Sequence, residues 1–123
     1  MPQIILEHSA NLVGIDYKGL FLAIYQYMKK IPNIGTCKMR AISQDNYYIG
    51  TDNEENAFAF LRILMAPKAE RTDEFREKIA QNLLPIISQY IDPVKKKLNI
   101  KCYPTLEVGI LSKQYYWIED KPC

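Results

Sequence analysis

The sequence predicts an α+β fold built from two β-α-β units, with a four-stranded sheet and both helices on one face. Three observations predict it. Each half of the chain opens with a short apolar run typical of a strand. An amphipathic helical pattern follows each run, and each helix leads to another strand-like run. A crossover of this kind joins parallel strands, so two units can pair into one sheet.

The length of 123 residues predicts a single domain over residues 1–123. A sheet covered by helices on one face leaves its other face open. We expect this open face to be apolar and therefore to need cover. A homo-oligomer supplies that cover most economically.

The first unit starts with a strand over residues 3–8. Asp16 is predicted to cap the first helix, whose apolar positions recur at helical spacing up to Ile31. A Pro-Asn-Ile-Gly stop signal follows at residues 32–35. Residues 37–42 are predicted to form the second strand, and residues 47–49 a short β-rich piece.

The second unit repeats this order after a polar connection. Residues 57–65 form a strongly apolar strand of the kind buried in a sheet. The second helix starts at Thr72, with acidic residues in its first turn. A fourth strand-like run covers residues 100–111, and residues 115–118 form a last β-rich segment.

Two prolines interrupt the second helical pattern. Pro85 is expected to kink or break the helix near residues 81–85, at a cost of about 3 kcal/mol unless packing compensates. Asp92 and Pro93 then resemble a cap and a first-turn proline. They predict a short continuation of the helix through Leu98.

Charge and motifs argue against several functions. The net charge of +2 comes from residues that are scattered apart from the run Lys95-Lys96-Lys97, which does not indicate a nucleic-acid partner. No glycine-rich phosphate-binding motif occurs, so nucleotide cofactors have no support. The apolar stretches are too short to span a bilayer, and the N-terminus lacks the pattern of a signal peptide. We expect a soluble protein with no membrane partner.

The cysteines and the histidine limit the chemistry further. Three cysteines, odd in number and without C-x-x-C spacing, argue against a disulfide framework or a zinc site. Reduced thiols fit a cytoplasmic protein. His8 is the only histidine, so any multi-histidine metal site or Ser-His-Asp triad would depend on that residue alone.

Pro2 is a catalytic candidate because removal of Met1 would leave it with a free secondary amine. An ordinary chain amine titrates at about 7.7–8.0. A cationic neighbour would lower the pKa of the Pro2 amine, so that it could act as a neutral base. Proline is also a tolerated first residue of a strand, and by itself the position favours that simpler interpretation.

Several local patterns together resemble the tautomerase superfamily, and within it most the 5-carboxymethyl-2-hydroxymuconate Δ-isomerases. Length and element order match over essentially the whole chain. The patterns are Pro2 with Ile4-Ile5-Leu6-Glu7 and Asn11 behind it, Gly19-Leu20-Phe21, Lys38-Met39-Arg40, Ala57-Phe58-Ala59-Phe60, and Arg71-Thr72.

The resemblance implies a tautomerase-like double β-α-β fold, also described as macrophage migration inhibitory factor-like. It implies a homotrimer with active sites near subunit boundaries, and neither a cofactor nor a metal. It also implies that Pro2 is the base that moves a proton in a conjugated 2-hydroxydienoate. Arg40 and Arg71 would hold the carboxylates of a small-molecule dicarboxylate or 2-oxo acid substrate.

Alternatives remain open at this point. Arg40 could be a strand residue facing solvent, and Arg71 a loop residue paired with Glu70 or Glu74. The substrate could be a simpler 2-oxo acid such as phenylpyruvate, or the protein a non-catalytic trimeric binding module. A retained Met1 would make the Pro2 nitrogen an amide with no basic lone pair.

Overall fold

A computed structural model describes residues 1–50, 55–112, 117–118 and 121–122 of the chain. Side chains are described only as far as residue 112. In chain order the elements are β1 (Gln3–Ser9), α1 (Tyr17–Met28), β2 (Lys38–Gln44), β3 (Asn56–Ala57), β4 (Ala59–Met65), α2 (Asp73–Leu98), β5 (Lys101–Cys102), β6 (Thr105–Ile110), β7 (Trp117–Ile118) and β8 (Lys121–Pro122).

The four long strands form one mixed sheet in the order β2-β1-β4-β6. β1 and β2 are parallel, as are β4 and β6, while the central pair β1 and β4 is antiparallel. The predicted pair of β-α-β units is therefore confirmed. The short strands β3 and β5 pair with each other, and so do β7 and β8.

Helix α1 begins where the sequence predicts. The Asp16 side chain accepts a hydrogen bond from the backbone N–H of Gly19 at 3.0 Å, which satisfies one of the free donors of the first turn. The helix ends at Met28, before the predicted end at Ile31. The backbone N–H of Ile31 bonds the carbonyl of Met28 at 3.0 Å, three residues back, so the chain winds into a tighter turn.

Helix α2 runs unbroken for 26 residues and contains both Pro85 and Pro93. The break expected at the first proline and the restart expected at the second are wrong. Each proline lacks an N–H, which leaves the carbonyl four residues earlier without its helical partner. Those carbonyls belong to Gln81 and Gln89, which are exposed, so water can donate the missing hydrogen bonds.

The ends of α2 follow ordinary capping rules. The Thr72 hydroxyl accepts from the backbone N–H of Phe75 at 3.2 Å, and Asp73 and Glu74 lie in the first turn. Asn99, in a left-handed conformation with φ 53°, ends the helix. Neither this helix nor any other in the described part of the chain is long and apolar enough to span a membrane.

The core lies between the helices and one face of the sheet. Alternate residues of β1, Ile4 and Leu6, are fully buried, and their partners in β4 are Ile63 and Leu61. Apolar residues of both helices join the same cluster: Leu20, Ile24, Met28, Ile79, Leu83 and Ile87. Both helices therefore cover one face, as predicted.

The open face of the sheet differs from the expectation. Its middle row carries Arg40, Ile5, Arg62 and Glu107 across the four strands, and the Arg62 Nε lies 3.6 Å from a Glu107 oxygen. The expected apolar face is wrong, because the outward alternate positions of the strands mix apolar with charged residues.

Two smaller predictions also need correction. Residues 47–49 form no strand, and Tyr48 is 71% exposed. The long strand expected over residues 100–111 is divided into β5 and β6. Of the last predicted segment, residues 117–118 are in β7, while residues 115–116 lie outside the described residues.

The only histidine is buried at the far end of β1. His8 is 1% exposed, its Nδ1 lies 2.8 Å from the Ser9 carbonyl, and its Nε2 lies 2.7 Å from the Tyr17 hydroxyl. A carbonyl can only accept, so Nδ1 carries the proton. In a neutral ring Nε2 then accepts from Tyr17. This bond ties the start of α1 to the sheet.

We expect Tyr17→Phe to lower the free energy of unfolding by about 1–3 kcal/mol, because the buried Nε2 of His8 loses its donor. Denaturant unfolding monitored by circular dichroism measures the change. Tyr48→Phe is the matched control, since that ring is exposed and its substitution should be nearly neutral. Equal stability of the two variants would show that the His8 bond contributes nothing.

Candidate functional site

The N-terminal end of β1 forms the first part of the site. Pro2 is buried, and its carbonyl accepts a hydrogen bond from the backbone N–H of Lys38 at 2.9 Å. Met1 is partly exposed. In the chain that begins at Met1, the Pro2 nitrogen lies in an amide bond, and the free amine belongs to Met1.

The loop between α1 and β2 packs against this N-terminus. Asn33 and Gly35 have left-handed backbones with φ values of 60° and 80°, which turn the chain sharply after the helix. A Cβ atom at Gly35 would lie 3.7 Å from the Met1 nitrogen. The positive φ therefore favours glycine at this position, and the 3.7 Å distance shows that the N-terminus packs against the loop.

A cleft opens beside the N-terminus, between the end of α1 and this loop. Its volume is about 390 Å³, which is in the range of small-molecule sites. The lining residues are Tyr25, Lys29, Ile31, Asn33, Ile34, Gly35, Thr36 and Cys37. Polar, cationic and apolar groups thus meet next to the predicted catalytic position.

Among the described residues that line this cleft, Cys37 alone carries a thiol. Burial raises the pKa of the Cys37 thiol, and the positive charge of the N-terminal amine partly opposes that rise. Cys37 therefore stays protonated at neutral pH and is a poor nucleophile. Within the described residues, no group of three or more His, Cys, Asp or Glu side chains could hold a metal ion.

Arg71 is buried behind the same loop and is only 6% exposed. One terminal nitrogen of its guanidinium donates to the carbonyl of Ala66 at 2.7 Å, and the other lies 3.5 Å from the carbonyl of Asn33. Lys68 also donates to the Asn33 carbonyl, at 3.4 Å. Arg71 therefore joins the end of β4 to the cleft wall, and its partners are backbone carbonyls rather than Glu70.

Arg40 lies elsewhere, exposed on the edge strand β2. Its guanidinium donates to the Gln3 side chain at 2.8 Å, on the open face of the sheet. The structure thus joins Arg40 to the residue after Pro2, while Arg71 reaches the cleft wall from the helix side. The predicted site residues all lie around the N-terminal end of β1, but the two arginines approach it from different sides.

Sequence reasoning missed the residues that shape the cleft. The Pro-Asn-Ile-Gly stretch at residues 32–35 predicts only a helix stop, and its glycine and asparagine are the available signal for a tight loop. Lys29 gave no signal, because a lysine at the end of a helix is ordinary. Lys68 likewise resembles any exposed loop lysine.

The chain matches the family model described as 5-carboxymethyl-2-hydroxymuconate isomerase over residues 2–120. It therefore belongs to this isomerase family. The match covers both β-α-β units and every described residue of the cleft. Among curated proteins, none matches the chain.

Solved structures agree with the fold. A 5-carboxymethyl-2-hydroxymuconate isomerase from Deinococcus radiodurans R1 has a TM-score of 0.82 at 19% identity, covering 96% of this chain and 88% of that one. A 5-carboxymethyl-2-hydroxymuconate delta-isomerase has a TM-score of 0.77 at 15% identity, covering 96% and 87%. A macrophage migration inhibitory factor-like protein from Entamoeba histolytica has a TM-score of 0.55 at 14% identity, covering 99% and 98%. The tautomerase-like fold is thus confirmed.

Proposed function

We propose that this chain converts a 2-hydroxydienoate of the 5-carboxymethyl-2-hydroxymuconate type to an unsaturated 2-oxo acid, with the Pro2 amine as the proton carrier. The reaction makes the enzyme an intramolecular oxidoreductase, a keto-enol tautomerase or Δ-isomerase. Membership of the isomerase family supports the reaction class. The observation that carries the mechanism is the position of the N-terminus, which lies against a cleft of small-molecule size.

The chemistry needs one group that both takes and gives a proton. In its neutral form, the amine of a processed Pro2 takes the proton from the 2-hydroxyl group and returns it to a carbon of the conjugated chain. Such general acid–base transfer contributes typically about 10²–10⁴-fold in rate. The proton moves within one substrate molecule, so the atoms balance without a redox partner.

The two arginines support different parts of this mechanism. Arg40 is exposed, and its planar guanidinium can grip a carboxylate and stabilise the charge that develops on the 2-oxygen. We assign the direct carboxylate contact first to Arg40. Arg71 donates to backbone carbonyls and is nearly buried, so we assign it mainly to holding the loop and supplying positive charge. That charge favours a neutral Pro2 amine.

A simpler 2-oxo acid such as phenylpyruvate is the second candidate substrate. The observation that favours it is the engagement of Arg71 with Ala66 and Asn33, which leaves fewer guanidinium donors for a second carboxylate. A comparison of substrates with one and two carboxylates separates the two candidates. A muconate-type substrate needs the second carboxylate, whereas a phenylpyruvate-type substrate has only one.

We further propose a cytoplasmic homotrimer. The odd number of cysteines fits a reducing compartment. The open face of the sheet supports assembly, since it carries Ile5, Phe60 and Leu64 beside its charged residues and no described element covers it. A closed ring of copies would bury this face and place the sites near subunit boundaries.

The proposed role of Pro2 predicts that activity requires removal of Met1. The processed chain should ketonise 2-hydroxymuconate at a rate that rises with pH through the pKa of the amine. A form with one extra N-terminal residue keeps the Pro2 nitrogen in an amide and should lose nearly all activity. Pro2→Ala, which leaves a primary amine, should retain some.

Intact mass confirms each N-terminus in this assay, and ultraviolet absorbance follows the dienol. Equal activity of the processed and extended forms would exclude the amine as the base. It would move the proposal to another catalytic group or to a non-catalytic binding module.

The proposed role of Arg40 predicts that Arg40→Met lowers kcat/KM on a dicarboxylate dienol by about 1.5–3 kcal/mol of transition-state stabilisation. Arg62→Met is the matched control, since that arginine lies on the same face but pairs with Glu107. Steady-state kinetics should show little change in the control. Sedimentation should first confirm that both variants assemble to the same size. Identical kinetics for the two variants would remove Arg40 from the site.

A further inference from the structure

We propose that the cleft beside the N-terminus is a carboxylate-binding subsite, and that Lys29 binds the second carboxylate of a dicarboxylate substrate there. This inference rests on the proposed function. It assigns to Lys29 the binding of a substrate carboxylate that was expected of Arg71. The site lies between the end of α1 and the loop before β2.

Positive charge surrounds the cleft. Lys29 lines it. Arg71 and Lys68 approach from behind, where both contact the Asn33 carbonyl. None of the lining residues is acidic. A concave site with cations on several sides and no carboxylate attracts an anion.

Lys29 itself has no charged partner among the described residues. Its ammonium lies 5.7 Å from the centroid of the Tyr25 ring, which also lines the cleft. It forms no ion pair with any described acidic residue. The ring restrains the side chain on one side, while the charge remains available to a ligand on the other.

The loop side of the cleft supplies uncharged hydrogen-bond donors. Gly35 and Thr36 line the cleft and form no hydrogen bond with any described residue. Their backbone N–H groups and the Thr36 hydroxyl can therefore donate to a ligand. Arg71 holds this wall in place through Asn33. A lysine and unbonded N–H groups that line the same cleft suit the oxygens of a carboxylate.

The position of Lys29 relative to Arg40 favours a substrate with two carboxylates. Arg40 is bonded to Gln3 on the open face of the sheet, whereas Lys29 lies at the end of α1. Met1 approaches Gly35 on the wall of the cleft that Lys29 lines, and Gln3 bonds Arg40. A dicarboxylate that contacts both cations would therefore pass the N-terminal residues. A monocarboxylate would use only one of the two cations.

The neighbouring lysine offers a matched control. Lys30 does not line this cleft but a second one of about 330 Å³, together with Tyr27, Phe75 and Lys78. Lys29→Gln and Lys30→Gln therefore remove the same charge from adjacent positions, and only the first removes it from the proposed subsite. General electrostatic effects should be shared by both variants.

The test compares both variants in the processed enzyme, with 2-hydroxymuconate as the dicarboxylate and enol-phenylpyruvate as the monocarboxylate. Lys29→Gln should raise KM for the dicarboxylate about 10- to 100-fold, with little change in kcat and none on the monocarboxylate. Lys30→Gln should leave both substrates unchanged. Equal effects of the two variants, or an equal effect of Lys29→Gln on both substrates, would overturn the assignment.

A binding measurement separates this inference from the proposed function. Adipate, a saturated dicarboxylate that cannot react, is titrated into the processed protein and followed by amide NMR shifts, with inorganic phosphate as a second ligand. Adipate binding that shifts Gly35 and Thr36 and weakens in Lys29→Gln supports the subsite even if no substrate turns over. No adipate binding, or phosphate binding of equal strength, would overturn it even if the isomerase reaction is found.

Discussion

The buried guanidinium of Arg71 is the interaction on which the candidate site depends. It bonds the carbonyl of Ala66 at the end of β4 and approaches the carbonyl of Asn33 in the loop before β2. A buried cation without hydrogen-bond partners costs free energy. Because Arg71 needs both carbonyls, the segments that carry Ala66 and Asn33 are held close to each other. The loop is thereby held against the N-terminus, and a cleft remains beside the residue proposed to carry the proton.

This arrangement explains why the site combines a strand end with a helix end. β1 brings Pro2 to the edge of the core, and its pairing with β2 places Arg40 beside Gln3. The tight turn after α1 brings Lys29 and the loop to the other side. Positive charge from several sides favours both an anionic substrate and a neutral amine. The proposed binding of an anionic substrate and the proposed neutral state of the Pro2 amine therefore both depend on this positive charge.

Local signals in the sequence predicted most of the fold. The apolar strand run at residues 3–8, the Asp16 cap and the Thr72 helix start depend on neighbouring residues and are confirmed. Pro85 misled the prediction because packing along α2 and exposed carbonyls outweigh the local preference. The open face was misjudged since its character depends on cross-strand register, which brings Arg40, Arg62 and Glu107 into one row.

The candidate site was less predictable for the same reason. Pro2 and the two arginines were identified through resemblance, but the partners of Arg71 were not, because Asn33 is 38 residues away in the chain. Lys29 could not be identified at all, since only the tertiary structure places the end of α1 beside the N-terminus. Sequence patterns thus indicate which elements form, while contacts between distant segments decide what a side chain does.

The central claim is that the fold makes the Pro2 amine a neutral base at working pH. The most direct test is the pH dependence of acylation of that amine in the processed protein, located by peptide mass spectrometry. An unstructured peptide with the same N-terminal sequence serves as the reference. The account predicts a titration midpoint for the folded protein clearly below that of the peptide. A midpoint equal to or above that of the peptide would contradict it.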